Sequence, residues 1–318
     1  MKRIAVIGAG IAGATAARTL ADAGLSVTVF EKARGPGGRM ASRRVARDET
    51  SPAFDHGCQM LSEDADIAPA EPWTHRLATF AGTTLTDTSG RTRPVPVPRM
   101  NTPVSNLLDG IDTRYAVRID RIEHTADRVS LAAEGNSLVD TLGEYDATII
   151  TTPAPQAIEL LETAAPTIAC RAQGVTYDPN WTLMLDRPAD APPLPFDAAH
   201  VAEHPIAWLC NDSAKPGRQA DSAERWIAQF EAAFSRDTID ESPDDIAPRL
   251  LAAARELLGE SVTLAQKPHR WRYAFVTKAV GEPCLVEGRV AVAGDWLLGP
   301  RAHHAARSGG AAALAIID

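Results

Sequence analysis

The chain is short of cysteine, of aromatic side chains and of positive charge, and each shortage closes off a class of function. Its four cysteines, Cys58, Cys170, Cys210 and Cys284, are widely spaced in 318 residues and form no CxxC pair. That pattern supplies neither a zinc knuckle nor a disulfide framework, so no metal is expected and reduced thiols point to a cytoplasmic chain. Lys and Arg number 32 against 41 Asp and Glu, a net charge of −9, which offers no general field for nucleic acid. No apolar run reaches the ~18 residues that span a bilayer, so no membrane partner is expected. Internal repeats and low-complexity tracts are also missing.

What is present is a globular composition, 45% hydrophobic and 23% charged, on a length that favours two domains. Residues 3–7 (RIAVI) read as a buried strand, 8–13 as a glycine-rich turn, 11–22 as a helix and 25–30 (LSVTVF) as a second buried strand. This is a β-α-β unit. Residues 45–100 show little periodicity and read as loops with short strands. Strand-like alternation follows in AVRIDRIE and RVSLAAE, and DATII at 146–150 is another apolar strand.

From about 160 to 280 the texture changes, with Trp181, Trp208, Trp226 and Trp271 between proline-rich breaks. Helices are expected at 222–235 and 243–258, the second opening on Ser242-Pro243 with Asp244 and Asp245 in its first turn, where carboxylates suit the helix dipole. Residues 289–317 return to strand and then helix, with the helix starting near Pro300. The expected class is therefore α/β, with one discontinuous domain over 1–60, 100–160 and 281–318 and a second, mixed-sheet domain over 61–99 and 161–280.

Three elements carry chemistry. Gly8-x-Gly10-x-x-Gly13 lies between strand and helix, with Glu31 closing the next strand 18 residues later. Gly8 makes the tight turn, Gly10 lets backbone approach a pyrophosphate, Gly13 lets helix and strand pack, and the helix N-terminus faces the phosphates. Glu31 suits the two hydroxyls of an adenosine ribose. The second element is the loop Lys32-Ala-Arg34-Gly-Pro-Gly37-Gly38-Arg39-Met40, whose glycine doublet and cations suit a pyrophosphate reaching deeper; a solvated turn is the plainer reading of the same residues. The third is Gly294-Asp295 at a strand end, followed by Trp296 to Arg301 and a helix, which suits a polyol beside Asp295; a helix cap is the alternative.

Taken with "EKARGPGGRMASRR", "FDHGCQM", "TTPAPQA", "VTYDPNWTLML", "PIAWLCNDSAKPGR", "HRWRYA" and "VAGDWLLG", these elements resemble the flavin-containing amine oxidases and related FAD-dependent oxidoreductases, and within that group the bacterial renalases. The resemblance runs over nearly the whole chain. It implies a glutathione-reductase-like Rossmann domain holding non-covalent FAD and a separate substrate domain. By position it implies FAD contacts at Ala12, Glu31, Arg39, Gln59, Met60, Ile119 and Asp295, and the motif residues Gly8, Gly10, Gly13, Lys32, Gly38, Met40, Trp296 and Arg301 complete the expected cofactor site. It implies a substrate side lined or supported by Trp181, Trp208, His269, Trp271 and Tyr273; core packing is the alternative for each aromatic. The chain departs from the pattern in a short 61–100 region and in His303, His304 and Arg307, where the family carries acidic and small residues.

The implied activity is an oxidase that takes hydride from dihydronicotinamide dinucleotides reduced at the 2 or 6 position and passes electrons to O2, giving H2O2. The sequence shows no catalytic triad, metal cluster or carboxylate pair. Hydride loss that leaves an aromatic ring needs placement more than a base, so no catalytic residue is assigned beyond the candidate His269. A flavin amine oxidase or another small-molecule FAD oxidoreductase is the first alternative, though only Tyr115, Tyr145, Tyr177 and Tyr273 are available for an amine-binding aromatic cage. Lys267 and Lys278 are possible oxygen-side bases and read more simply as surface lysines. A non-catalytic FAD-binding protein is the second alternative.

Overall fold

A computed structural model describes residues 1–45, 53–124, 127–133, 142–218 and 223–318. The chain forms two compact units. The first comprises Met1–Gly38, Pro103–Tyr177 and Val276–Asp318, the second Arg39–Thr102 and Asp178–Phe275. These bounds differ from the expected ones at 39–60, 100–102, 161–177 and 276–280. From Arg39 onward the backbone bonds inside the second unit, as in Cys58 N–H to the Arg39 carbonyl at 2.8 Å. The helices Ala154–Ala164 and Pro166–Ala172, by contrast, bury Leu160, Leu161, Ile168 and Ala169 in the core of the first.

The first unit is built on a sheet ordered Leu285–Glu287, Val290–Val292, Ala147–Ile150, Arg3–Ile7, Ser26–Glu31, Asp112–Tyr115. All pairings are parallel except that of the first two strands. Parallel strands covered on both faces read as continuous apolar runs, and RIAVI, SVTVFE and ATII do. The helix Ile11–Asp22 connects Arg3–Ile7 to Ser26–Glu31 as the β-α-β reading requires. The helix expected near Pro300 is split: a single turn, Asp295–Leu298, ends at Gly299 (φ +140°), and the long helix begins at Ala302 and runs to Ile317.

The second unit is built on a sheet ordered Thr263–Leu264, Thr176–Pro188, Ala223–Phe230, Ile206–Asn211, Ala198–Ala202, Ala70–Ala81, Thr84–Pro96, with His269–Lys278 also on Thr176–Pro188, and carries a small second sheet of Arg43–Arg44 with Ala53–Phe54. Two expectations fail here. Residues 70–96 are long antiparallel strands joined at Gly82 (φ +58°), whereas loops with only short strands were expected from the weak periodicity. Proline fits because Thr84–Pro96 is an edge strand, where a missing N–H costs little, and threonine favours strands. The helix expected over 222–235 is instead the strand Ala223–Phe230 and the short helix Ala232–Thr238, with residue 222 outside the described set. Ala223, Trp226, Ile227 and Phe230 have helical spacing, but the segment lies between two other strands and buries Trp226, Ile227, Ala228 and Phe230 together, so both its faces are apolar.

The helix Pro243–Leu258 forms as expected. Ser242 Oγ accepts from Asp245 N–H at 3.2 Å, Pro243 occupies the first turn, and Gly259 (φ +95°) ends it. Its apolar face, including Ile246, Leu250 and Leu257, packs into the cluster around Trp181, Trp226 and Phe230.

Candidate functional site

In the first unit the glycine turn has the geometry its sequence demands. Gly8 adopts φ +109°, donates to the Phe30 carbonyl at 2.8 Å and leaves no room for a side chain, since a Cβ would stand 2.6 Å from Thr151 Oγ1. A Cβ on Gly13 would lie 1.9 Å from the Gly8 carbonyl oxygen, so only glycine brings helix and turn this close. Gly10 differs: a Cβ there would meet nothing within 4 Å, which marks open space. Helix Ile11–Asp22 has no side-chain cap, and helix geometry leaves the N–H groups of Ile11, Ala12 and Gly13 without intrahelical acceptors beside that space.

The second glycine loop is stitched to the first. Gly37 donates to the Ala9 carbonyl at 2.9 Å, and Gly38 adjoins Gly10 closely enough that a Cβ on it would sit 3.5 Å from the Gly10 Cα. Glu31, buried at the strand end, accepts from Ala9 N–H at 2.8 Å and from Ala33 N–H at 2.7 Å, one per oxygen. Each oxygen keeps a lone pair for a ligand hydroxyl. Lys32 donates to Gln156 at 3.0 Å on the surface.

Asp295 is buried at the start of its helical turn, and Gly294, extended at φ +154°, donates to Ser308 Oγ at 2.9 Å. The C-terminal helix passes directly over Ala12: a Cβ on Gly309 would lie 2.1 Å from the Ala12 carbonyl oxygen. The two distant glycine segments of the sequence thus meet on one helix. The Trp296 ring is fully buried, and its indole N–H donates to the Thr152 carbonyl at 3.1 Å. Ile119 is a core residue beside Phe30 and Ile122, and Arg301 is exposed at the N-terminus of the long helix. His303 and His304 stack edge to face at 4.4 Å, with His304 Nδ1 against Gly299.

The second unit gathers another set of expected residues. Arg39 Nη1 donates to the Ala274 carbonyl at 3.1 Å, and a Cβ on Gly57 would be 2.1 Å from the Arg39 carbonyl and 3.2 Å from the Trp271 ring. Trp271 Nε1 donates to the His56 carbonyl at 3.1 Å. The rings of His56, His269 and Trp271 form a triangle with centroids 4.8, 5.0 and 4.2 Å apart. Burial, then His269 and Arg43, push His56 down to about 3; burial and Arg43 push His269 down to about 4. Both imidazoles are therefore neutral at pH 7. Tyr273 is half-buried two residues along the same strand.

Gln59 and Met60 follow this loop, and the Gln59 amide is turned inward. Its Nε2 donates to the carbonyls of Asp55 and of Gly57 (3.0 Å), and its Oε1 accepts from Lys215 Nζ at 3.2 Å. Met40 is buried as well. Trp181, expected to line or support the substrate side, is fully enclosed in the core cluster. Trp208 does line a cleft of about 280 Å³, with Asp178, Gln229, Glu231 and Phe275 among its other walls. Lys267 is an exposed surface lysine paired with Asp244 at 2.7 Å, and Lys278 is exposed.

Sequence reasoning missed a buried ionic cluster beneath Gln59. Lys215 Nζ lies 2.7 Å from Asp212 and 3.7 Å from Asp55, Asp55 also binds Arg218, and all four side chains are at most 4% exposed. Asp55 further accepts from Ser42 Oγ at 2.5 Å and from Met100 N–H at 3.2 Å. The only advance signal was that Asp55 and Lys215 both fall inside family-like segments.

Residues 6–68 match the NAD(P)-binding Rossmann-like domain family. The Rossmann unit's turn, helix and second strand all lie within that stretch. Solved structures share the fold over almost the full length. A candidate protoporphyrinogen oxidase from Exiguobacterium sp. 255-15 is 12% identical, covers 99% of this chain and 98% of its own, and superposes with a TM-score of 0.75. Cyclohexylamine oxidase from Brevibacterium oxydans IH-35A is 15% identical, with 99% and 98% covered and a TM-score of 0.67. Putrescine oxidase bound to putrescine is 11% identical, with 99% of each chain covered and a TM-score of 0.70. At such identities the likeness is one of fold.

The histidine triangle predicts acid sensitivity. Both folded-state pKa values lie below the unfolded value of 6.5, so the unfolded chain binds more protons between pH 6.5 and 4 and stability falls as pH falls through that window. We expect a loss of about 2–4 kcal/mol from pH 7 to pH 5, seen by denaturant titration. His56→Gln should flatten the slope, and equal slopes in the two proteins would rule His56 out as a contributor.

Proposed function

We propose that the chain is an FAD-dependent oxidase of the renalase kind, acting on dihydronicotinamide dinucleotides. The observation that carries the cofactor reading is the open space over Gly10, bordered by Gly38, the uncapped helix N-terminus and the remaining lone pairs of Glu31. These groups fit a dinucleotide: backbone N–H donors for the pyrophosphate and a carboxylate for the ribose. Asp295 would hold the polyol. When bound, FAD supplies a hydride acceptor whose electrons O2 then takes up as H2O2.

The chain's own residues have the task of holding the ring that gives hydride. His269 and Trp271, backed by the buried ring of His56, offer flat, uncharged surfaces suited to stacking a nicotinamide, and as neutral groups at pH 7 the histidines add no charge against the cationic product ring. Gly57 lets that wall approach the Arg39 backbone. Holding the ring in a near-attack position is the main contribution such chemistry needs from a protein.

A second reading, an amine substrate, is favoured by the cleft beside Trp208, which is lined by Asp178, Glu231 and the ring of Phe275, with Asp178 also paired to Arg236 and Glu231 capping the helix Ala232–Thr238. Carboxylates and aromatic faces suit an ammonium group. The deciding experiment is anaerobic mixing of the purified, yellow protein with 2- or 6-dihydroNAD(P). The renalase reading expects rapid bleaching and stoichiometric NAD(P)+. Bleaching by amines alone would transfer the assignment to the second reading, and a protein without flavin colour would remove both.

A further inference from the structure

We propose that the outer edge of strand Thr84–Pro96 is a self-recognition surface, and that two copies of the chain pair there as antiparallel strands about a twofold axis through Ser89. Among the described residues no strand lies outside it, for it ends the sheet order of the second unit. Its middle is exposed on both faces from Thr84 to Thr88 and again from Gly90 to Thr92.

The direction of its backbone groups follows from its neighbour. On strand Ala70–Ala81, Arg76 bonds on the side away from this edge: its carbonyl accepts from Asp197 N–H at 2.9 Å and its N–H donates to Asp197 Oδ2 at 2.8 Å. Arg76 faces Gly90 and Pro72 faces Pro94 in the ladder, so these are positions without mutual hydrogen bonds. The N–H and C=O groups of Thr88, Gly90 and Thr92 therefore point outward, and a bulge at Thr86, between the Thr79–Asp87 and Phe80–Leu85 pairs, ends the alternation on that side. At Pro94 the outward carbonyl is already taken by Leu61 N–H at 2.9 Å, which ends the free stretch. At Gly90 the neighbouring Arg91 guanidinium folds back onto the open carbonyl at 3.1 Å.

The sequence of this stretch, Thr86-Asp-Thr-Ser-Gly-Arg-Thr92, is complementary to itself when reversed about Ser89. Thr88 of one copy then meets Gly90 of the other, once on each side of the axis, as hydrogen-bonded pairs made of outward-facing residues, and Thr92 falls opposite the bulged Thr86. Asp87 meets Arg91 twice, once on each side of the axis, in the non-hydrogen-bonded register where side chains stand closest. Within one chain the two cannot pair, being about 13 Å apart along a strand, and no ion pair joins either of them to another described residue. The residues at the axis are small, so the strands can close. A single strand pair buries less than the ~1,600 Å² of a standard interface, which sets the dissociation constant on the order of tens of micromolar.

The test is sedimentation equilibrium of the full chain. The wild type is expected to dimerise with concentration, reaching mostly dimer about tenfold above that constant. Asp87→Arg and Arg91→Asp alone should each weaken association about tenfold or more, because two attractive pairs become repulsive. An equimolar mixture of the two should regain dimer, since every Arg then faces an Asp. Thr88→Pro removes only an outward N–H, leaves the inner ladder whole and should abolish pairing. A wild type that stays monomeric, including one that captures an unrelated strand at this edge, overturns the proposal. So does a dimer unmoved by Asp87→Arg and Thr88→Pro, each checked for an unchanged thermal transition.

Discussion

Lys215→Met is expected to cost about 3–5 kcal/mol of unfolding free energy, because it strands buried carboxylates without their cation. Lys215 is fully enclosed and donates to Asp212 and to Gln59, with Asp55 at 3.7 Å. Asp212 and Asp55 hydrogen-bond as well, through Asp55 N–H to Asp212 Oδ2 at 3.1 Å, so the group acts as one unit. Its two acids respond differently. Burial alone would raise Asp55, but Lys215, Arg218 and the Ser42 hydroxyl more than offset it and hold its carboxyl below the usual range. At Asp212 burial outweighs Lys215, and the negative charge of Asp55 adds to it, so Asp212 is raised. Removing Lys215 takes away the cation they share. Urea titration should show the loss, and the double variant Lys215→Met with Asp212→Asn should recover part of it, since the two sites couple directly. A change below about 1 kcal/mol would mean that water or Arg218 replaces the lysine.

Gly13→Val is expected to be the most damaging single change in the Rossmann unit. Its Cβ would fall 1.9 Å from a backbone oxygen and 2.8 Å from Thr151 Oγ1, and neither the turn nor the strand end behind it has a flexible side chain to yield. Overpacking of this kind costs about 3 kcal/mol or more when backbone must move. The displaced Gly8–Gly10 segment should also lose dinucleotide, so two readouts are available: the unfolding midpoint and the flavin retained on purification. Gly10→Ala is the contrast. With nothing within 4 Å of its Cβ it should leave the midpoint nearly unchanged while still reducing retained flavin. Equal effects of the two substitutions on stability would contradict the packing account.

The first unit was legible because its signals are local. The alternation between buried strand and helix in residues 3–31, and three glycines each with a separate steric reason, need no knowledge of distant contacts. The second unit was not. The spacing of Ala223, Trp226, Ile227 and Phe230 satisfies a helix as well as a doubly buried strand, and only the flanking strands decide between them. The ionic cluster joins Asp55 to residues 157 and 160 positions away, a pairing invisible to any window of sequence. Gln59 shows the same limit at one residue: its place in the loop was anticipated, but the direction of its amide is set by Lys215 from another segment.

The seat of Gly309 on the Ala12 carbonyl has a consequence for synthesis. The strand Arg3–Ile7 and its turn leave the ribosome well before the helix that covers them, which comes from residues 302–317, and Ala147–Ile150 has no partner on its other side until Val290–Val292 is made. At roughly 5–20 residues per second, the N-terminal strand waits tens of seconds for its cover. During that interval its apolar face and the open helix are the segments a chaperone would meet.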